Sequence, residues 1–282
     1  MSEGEDIIGV RLPPRRHIPP LRSKVQVEFL REVVPFDLFA DPDFVKKFID
    51  KFKLRAELAY RLRGSRRIVR RTILLEELRK SNPQIRDVPW DTIAGIEFKR
   101  GYMVVRSDTG LRQISIDRIY IDKDTITVEV ERATTAEAEL VMNEVIDYLE
   151  QESGFRFSQE DQVRSFETTT KERLVPLNRF LREELLRFLT SDAGKDLIKG
   201  MIPIFKPENP FSQGNVVIHL HQMDFTIFFT TTSGARFTAK LEFSHESPQE
   251  WALGIIKVTS ELPSEQHHEF VARLKELLKD EL

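Results

Sequence analysis

The sequence has no cysteine. A chain without thiols has no disulfide cross-link, no thiolate metal site and no cysteine nucleophile, so several enzyme and metal-binding classes are excluded together. Glycine is scarce, with 12 residues in 282, and none falls into the spacing that cradles a phosphate or a dinucleotide. The Gly-x-Ser-x-Gly elbow of serine hydrolases and the His-Glu-x-x-His helix of metalloproteases are missing too. No apolar run approaches the roughly 20 residues that span a bilayer, and the opening MSEGEDIIGVRLPPRRH lacks the apolar stretch of an export signal. We therefore expect a cytoplasmic chain without membrane contact. Neither sign of charge dominates: 43 Lys and Arg stand against 46 Asp and Glu, a net of -3, so any attraction for nucleic acid must come from a local patch.

What is present is a globular composition, 40% hydrophobic and 32% charged, in a chain long enough for two ordinary domains. Residues 1–24 include RLPPRRHIPPLRSK, whose prolines and basic side chains predict an extended, polyproline-like arm. A strand is expected over Val25 to Val34. Asp41-Pro42 marks a helix start, with Asp as N-cap and Pro at the first position. Phe44, Val45, Phe48, Ile49, Phe52, Ala56 and Ala59 then continue one apolar stripe to about Leu62. From Ile93 to Glu131, the segments 93–98, 102–106, 111–121 and 125–130 read as a four-stranded antiparallel meander. Its clearest turns are Asp108-Thr109-Gly110 and Asp122-Lys123-Asp124. Thr134 and Glu137 form a capping box that opens a helix through Leu149.

After a polar linker at 153–162 the order repeats. A strand near Phe166 to Leu174 precedes a helix from Asn178 to Leu189 and a short helix near 192–201. Strands follow at 216–221, 225–230, 236–243 and 251–259, and Pro263 starts a last helix with Phe270, Val271, Leu274, Leu277 and Leu278 inward. Short matches accompany the order. Val33-Val34-Pro35-Phe36-Asp37-Leu38-Phe39 aligns with Leu174-Val175-Pro176-Leu177-Asn178-Arg179-Phe180, and Thr109-Gly110-Leu111-Arg112 with Ser233-Gly234-Ala235-Arg236.

We therefore expect an α+β fold of two tandem related units, 25–152 and 163–282. Each would be strand, helix, four-stranded antiparallel meander and helix, with the helices packed on one face of the sheet. This order is similar to that within each repeat of the TATA-binding protein. The likeness is of topology alone and implies nothing about function.

The units differ in one respect. Phe39 and Gly110 are 71 positions apart, and Phe180 and Gly234 only 54, so the first unit carries an insertion, near 61–80, rich in arginine. Arg61, Arg63, Arg66, Arg67, Arg70 and Arg71 make it the strongest basic feature: residues 51–80 hold eleven Lys or Arg against three Glu, a net of +8. Residues 119–152 hold ten acids against two bases, a net of -8. Guanidinium forks bind phosphate and carboxylate bidentately, so the run is a candidate surface for nucleic acid or for an acidic protein. The plainer alternative is a solvated helix face paired with the acidic helix at 137–150 of the same chain or of a second copy.

His219 and His221 alternate on a predicted strand and so share a face, which begins a metal site without an evident third ligand. Glu97-Phe98-Lys99, with Asp91 upstream, superficially resembles the acidic-x-Lys core of metal-dependent nucleases, although ordinary strand surface explains it as well. Phe228, between Thr226 and Thr230, is a candidate for an open sheet face. No cofactor pattern is present, and none is expected. The reading that best fits these features is a non-enzymatic binding or assembly protein, engaging a protein partner or its own copies through an open sheet face and charged segments. Nucleic-acid binding through residues 61–71 is the second reading. An enzyme with a site assembled from distant residues, metal-dependent or not, is the third.

Overall fold

A computed structural model describes residues 8–12, 19–55, 57–62, 68–72, 93–107, 110–173, 222–230, 236–244 and 255–280, with the single positions Arg187 and Ser191. His219, His221, Arg63, Arg66 and Arg67 lie outside the described residues. The chain is mixed α and β and divides into two compact units. The first comprises Met1–Thr169 with Glu261–His267, and the second comprises Thr170–Ser260 with His268–Leu282. Among the described residues no helix is long and apolar enough to cross a membrane.

The first unit is built on an antiparallel sheet. Its strands are β2 (Arg22–Phe29), β3 (Glu57–Leu62), β4 (Ile68–Thr72), β5 (Ile93–Ser107), β6 (Gly110–Asp122), β7 (Thr125–Glu131) and residues 162–169 of β8 (Gln162–Arg173). They run in the order β4-β3-β5-β6-β7-β2-β8, and every neighbouring pair is antiparallel. A short β1 (Ile8–Leu12) pairs parallel with β5 at Val105 and Ser107, so part of the proline-rich arm is a strand. Helices α1 (Pro42–Lys51) and α2 (Thr135–Ser153) cover one face, and both expected start signals are present: Asp41 caps α1, and Thr134 and Glu137 form the capping box of α2.

Alternation in the strands decides which side chains meet these helices. Val25, Val27 and Phe29 of β2, and Ile126, Val128 and Val130 of β7, are buried against Val141, Met142, Val145 and Leu149 of α2. An aromatic cluster fills the other end. Phe48 is fully buried, with its ring 4.8 to 5.8 Å from those of Phe39, Phe52, Phe98 and Tyr148.

Three expectations are corrected here. Helix α1 ends at Lys51, about eleven residues short of the predicted stripe, because Lys53 takes a left-handed φ of 47° and the amide of Leu54 bonds back to the carbonyl of Ile49. The chain then enters β3, where Ala59 pairs with Glu97 and Arg70; pairing with β5 outcompetes the helical periodicity. The first strand stops at Phe29, not Val34. The first meander has three strands, not four, since 93–98 and 102–106 are one strand.

Phe98 and Met103 are an odd number of positions apart, yet both face the core, so β5 must change phase between them. Arg100 does this with a φ of 51°. A bulge between Ile116 and Arg118 does the same for β6, keeping Ile114, Ile116, Ile119 and Ile121 all inward. Gly101 lies at this joint, where the chain leaving α1 crosses: a Cβ there would sit 2.5 Å from the carbonyl of Phe52.

A polar knot closes the first unit where β2 and β8 pair through Ser23 and Thr168. The Ser23 hydroxyl donates to the carbonyl of Ala133 (2.7 Å), and the Thr168 hydroxyl donates to the carbonyl of Leu262 (2.7 Å). Two residues further on, the first residues of α2 and of α3 (Ser264–Asp280) cap each other. The amide of Thr135 donates to Ser264 Oγ (2.8 Å) and the amide of Ser264 to Thr135 Oγ1 (2.9 Å). Ser23, Thr135, Thr168 and Ser264 are all buried.

In the second unit β10 (Arg236–Ser244) pairs antiparallel with both β9 (Gln222–Thr230) and β11 (Ile255–Ser260). Ala239, Leu241, Ile256, Val258 and Val271 are buried. Glu172 and Lys275 form an ion pair. Burial tends to raise the Glu242 carboxyl, but the ammonium groups of Lys240 and Lys257 outweigh it and hold its pKa below the ordinary range.

Candidate functional site

On the sheet face opposite α1 and α2, here termed the open face, the strands set out a row of charged side chains. Glu97 and Lys99 come from β5, Asp117 and Arg118 from β6, Glu129 from β7, and Arg22 from β2. Register sets Arg118 opposite Lys99 on one side and opposite Glu129 on the other. The like-charge neighbour is relieved because Glu97 bonds to both Lys99 Nζ (3.1 Å) and Arg118 Nη1 (3.3 Å). Arg118 Nη2 contacts Glu129, whose other oxygen meets Arg22 Nη1 (3.3 Å), and Arg22 Nη2 reaches Asp117 (3.0 Å). The result is a ladder of alternating sign across four strands. Burial works against the Arg118 charge, but Glu129 and Glu97 outweigh it and keep the guanidinium more firmly protonated than usual.

The ladder gives each sequence candidate its place. Glu97 and Lys99 share a face, as an acidic-x-Lys pair in a strand must, but the carboxylate is neutralised by Lys99 and Arg118, and Asp91 lies outside the described residues. Arg61 is in β3, and Arg70 and Arg71 are in β4, at the end of the strand order; they are on a strand hairpin, not a helix face. The side chains of this run are outside the described residues. Phe228 is in β9, its side chain likewise outside them. Adjacent His267 and His268 are on α3, the former buried. Among the described residues no group of three or more His, Asp or Glu side chains is arranged to hold a metal.

The acidic block at 119–152 is not one patch. Alternation sends Glu129 to the open face, while α2 carries Glu137, Glu139, Glu144 and Glu150 on the helix side. Those four are engaged locally: Glu137 with Arg112 and the α2 cap, Glu139 with Arg164, Glu144 with Lys51, and Glu150 with the amide of Phe157. Arg118, Asp117 and Glu129 escaped the sequence reading because each is an ordinary polar alternate in its strand, and Arg22, read there only as part of the basic arm, belongs to β2. The available signal was the regular polar face of 22–28 and 125–131. Exposed apolar side chains join the ladder on the open face, Tyr102 (37%) in β5 and Leu111 (58%) in β6.

A second concave feature lies on the helix side. A groove of about 1250 Å³ runs between the C-terminal half of α2 and the connection into β8, lined by Asn143, Asp147, Gln151, Arg156, Gln159 and Arg164 among others. Fold and surface together define an antiparallel α+β protein with a charge ladder on the sheet face opposite its helices. No protein-family model matches the chain, and no curated protein or solved structure is detectably similar to it.

Proposed function

We propose that this is a non-enzymatic binding or assembly protein that engages a protein partner, or further copies of itself, through the open sheet face of the first unit. The observation that carries the reading is the ladder itself. Acids interleave with bases at contact distance, so the face offers no continuous positive potential to a phosphate backbone, whereas mixed polar and apolar surface is what protein interfaces use. Tyr102 and Leu111 add exposed apolar anchors to it. The test compares wild type with Tyr102→Glu/Leu111→Glu in affinity capture and in analytical ultracentrifugation. A partner or an oligomer lost in the variant is expected. A monomer whose captured proteins do not differ from the variant's overturns the reading.

A second reading is favoured by one observation: Arg61, Arg70 and Arg71 fall on adjacent antiparallel strands, with Arg61 opposite Ile68 and Arg70 opposite Ala59. A two-stranded ribbon carrying arginines is a shape that enters a nucleic-acid groove. Salt-sensitive binding of DNA or RNA, lost when Arg66, Arg67, Arg70 and Arg71 are all changed to Ala, would support it; no binding at low salt would remove it.

We also propose that the two halves arose by tandem duplication. Support comes from the knot, where Ser23, Ala133 and Thr135 of one half make the same bonds as Thr168, Leu262 and Ser264 of the other.

A further inference from the structure

We propose that the groove between α2 and the start of β8 binds an extended, uncharged polar peptide segment of another protein. This rests on the reading of the chain as a protein-binding molecule and adds a second surface, on the helix side of the first unit. The groove is larger and far more polar than the mainly apolar pockets of about 300 to 1,000 Å³ that enclose small molecules. Its charges cancel, Asp147 and Glu150 against Arg156 and Arg164, which disfavours a phosphate polymer. What remains is amide chemistry. Asn143, Gln151, Gln159 and Gln162 each bring a carbonyl and an NH₂ group, the same donor and acceptor pair that every peptide unit presents.

The groups most exposed to a ligand have no competing use, since the side chains of Asp147, Gln151, Arg156 and Gln159 find no partner among the described residues. The walls are already set. Arg164 is held by Asn143 (3.1 Å) and Glu139 (3.5 Å), and the amide of Phe157 by Glu150 (2.7 Å), so little ordering is left for binding to supply. Ile146 and Phe157 make an apolar floor, and Phe155, 45% exposed, lies just outside the lining with its ring 5.6 Å from that of Phe157.

The experiment is selection of a random dodecapeptide phage library on the immobilised full-length chain. Enriched peptides are then labelled with fluorescein and titrated by anisotropy. A shared polar motif is expected, with affinity falling about tenfold or more in Gln151→Arg/Gln159→Arg and changing less than about twofold in Tyr102→Glu/Leu111→Glu. Circular dichroism verifies folding of both variants, and Arg156→Glu is the substitute should the first melt early. No enrichment, or peptides that bind the groove variants as well as wild type, overturns the proposal. Peptides lost only in the open-face variant overturn the groove while leaving the protein-binding function standing. Binding of an immobilised glycan panel through the groove in place of peptides also overturns it.

Discussion

Substituting Ser264 by Ala tests the polar knot directly. In the native chain the Ser264 hydroxyl is the acceptor for the first amide of α2, and Thr135 returns the bond to the first amide of α3. Helix starts leave such amides without intrahelical partners, so each hydroxyl acts as a cap delivered from another helix. Ser264→Ala strands the buried Thr135 amide, which costs about 1 to 3 kcal/mol. For a unit of this size that lowers the melting temperature by roughly 3 to 10 °C. Thr135→Ala should cost a similar amount, because it strands the Ser264 amide in the same way. Joined in one chain, the two substitutions should be less than additive, since the residues share the contact. The assay is differential scanning calorimetry, with Ser115→Ala on an exposed strand position as the control. A Ser264→Ala protein melting within about 1 °C of wild type would refute the reasoning.

Phe48→Ala empties a fully buried position ringed by aromatic side chains and should cost about 3 to 5 kcal/mol, read as a lowered denaturation midpoint. Gly101→Val should destabilise the β5 joint, because its Cβ would meet the Phe52 carbonyl at 2.5 Å; an unchanged midpoint would place that crossing chain elsewhere. Burial and the neighbouring Asp124 push the Asp122 carboxyl up from 3.8 to about 6. The folded chain therefore holds that proton more tightly than the unfolded one, and this group's contribution falls as pH rises from about 4 to 6. Asp122→Asn keeps an oxygen for the amides of Asp124 and Thr125 and removes the charge. It should stabilise by about 1 kcal/mol at pH 7.5, after allowance for solvent screening, and by less at pH 4. Arg118→Ala leaves the buried Glu129 carboxylate with Arg22 alone and should cost more than Lys99→Ala, whose partner Glu97 keeps Arg118.

Much of the first unit was legible from local pattern. Helix starts are short-range events, so Asp41-Pro42 and Thr134 with Glu137 could be read where they stand. Turns are equally local: Gly110, with a φ of 124°, opens β6 where the sequence placed a turn, and Asp122 accepts from the Asp124 and Thr125 amides in the next one. The candidate surface was less legible. Which residues would meet on one sheet face could not be read, because Glu97, Arg118, Glu129 and Arg22 belong to four strands joined only by register.

By itself the sequence determined the mixed α and β character, the caps, the turns and the apolar faces of α1 and α2, because those depend on residues within a few positions of one another. Only the tertiary structure decided that Ala59 belongs to a strand, that β5 runs unbroken through Arg100, and that the acidic block splits between opposite sides of the sheet. It also brought Thr135 to Ser264, separated by 129 positions. These outcomes turn on which strand pairs with which and in what phase. That is a competition among distant segments for backbone partners and buried area, and periodicity along one segment carries no information about it.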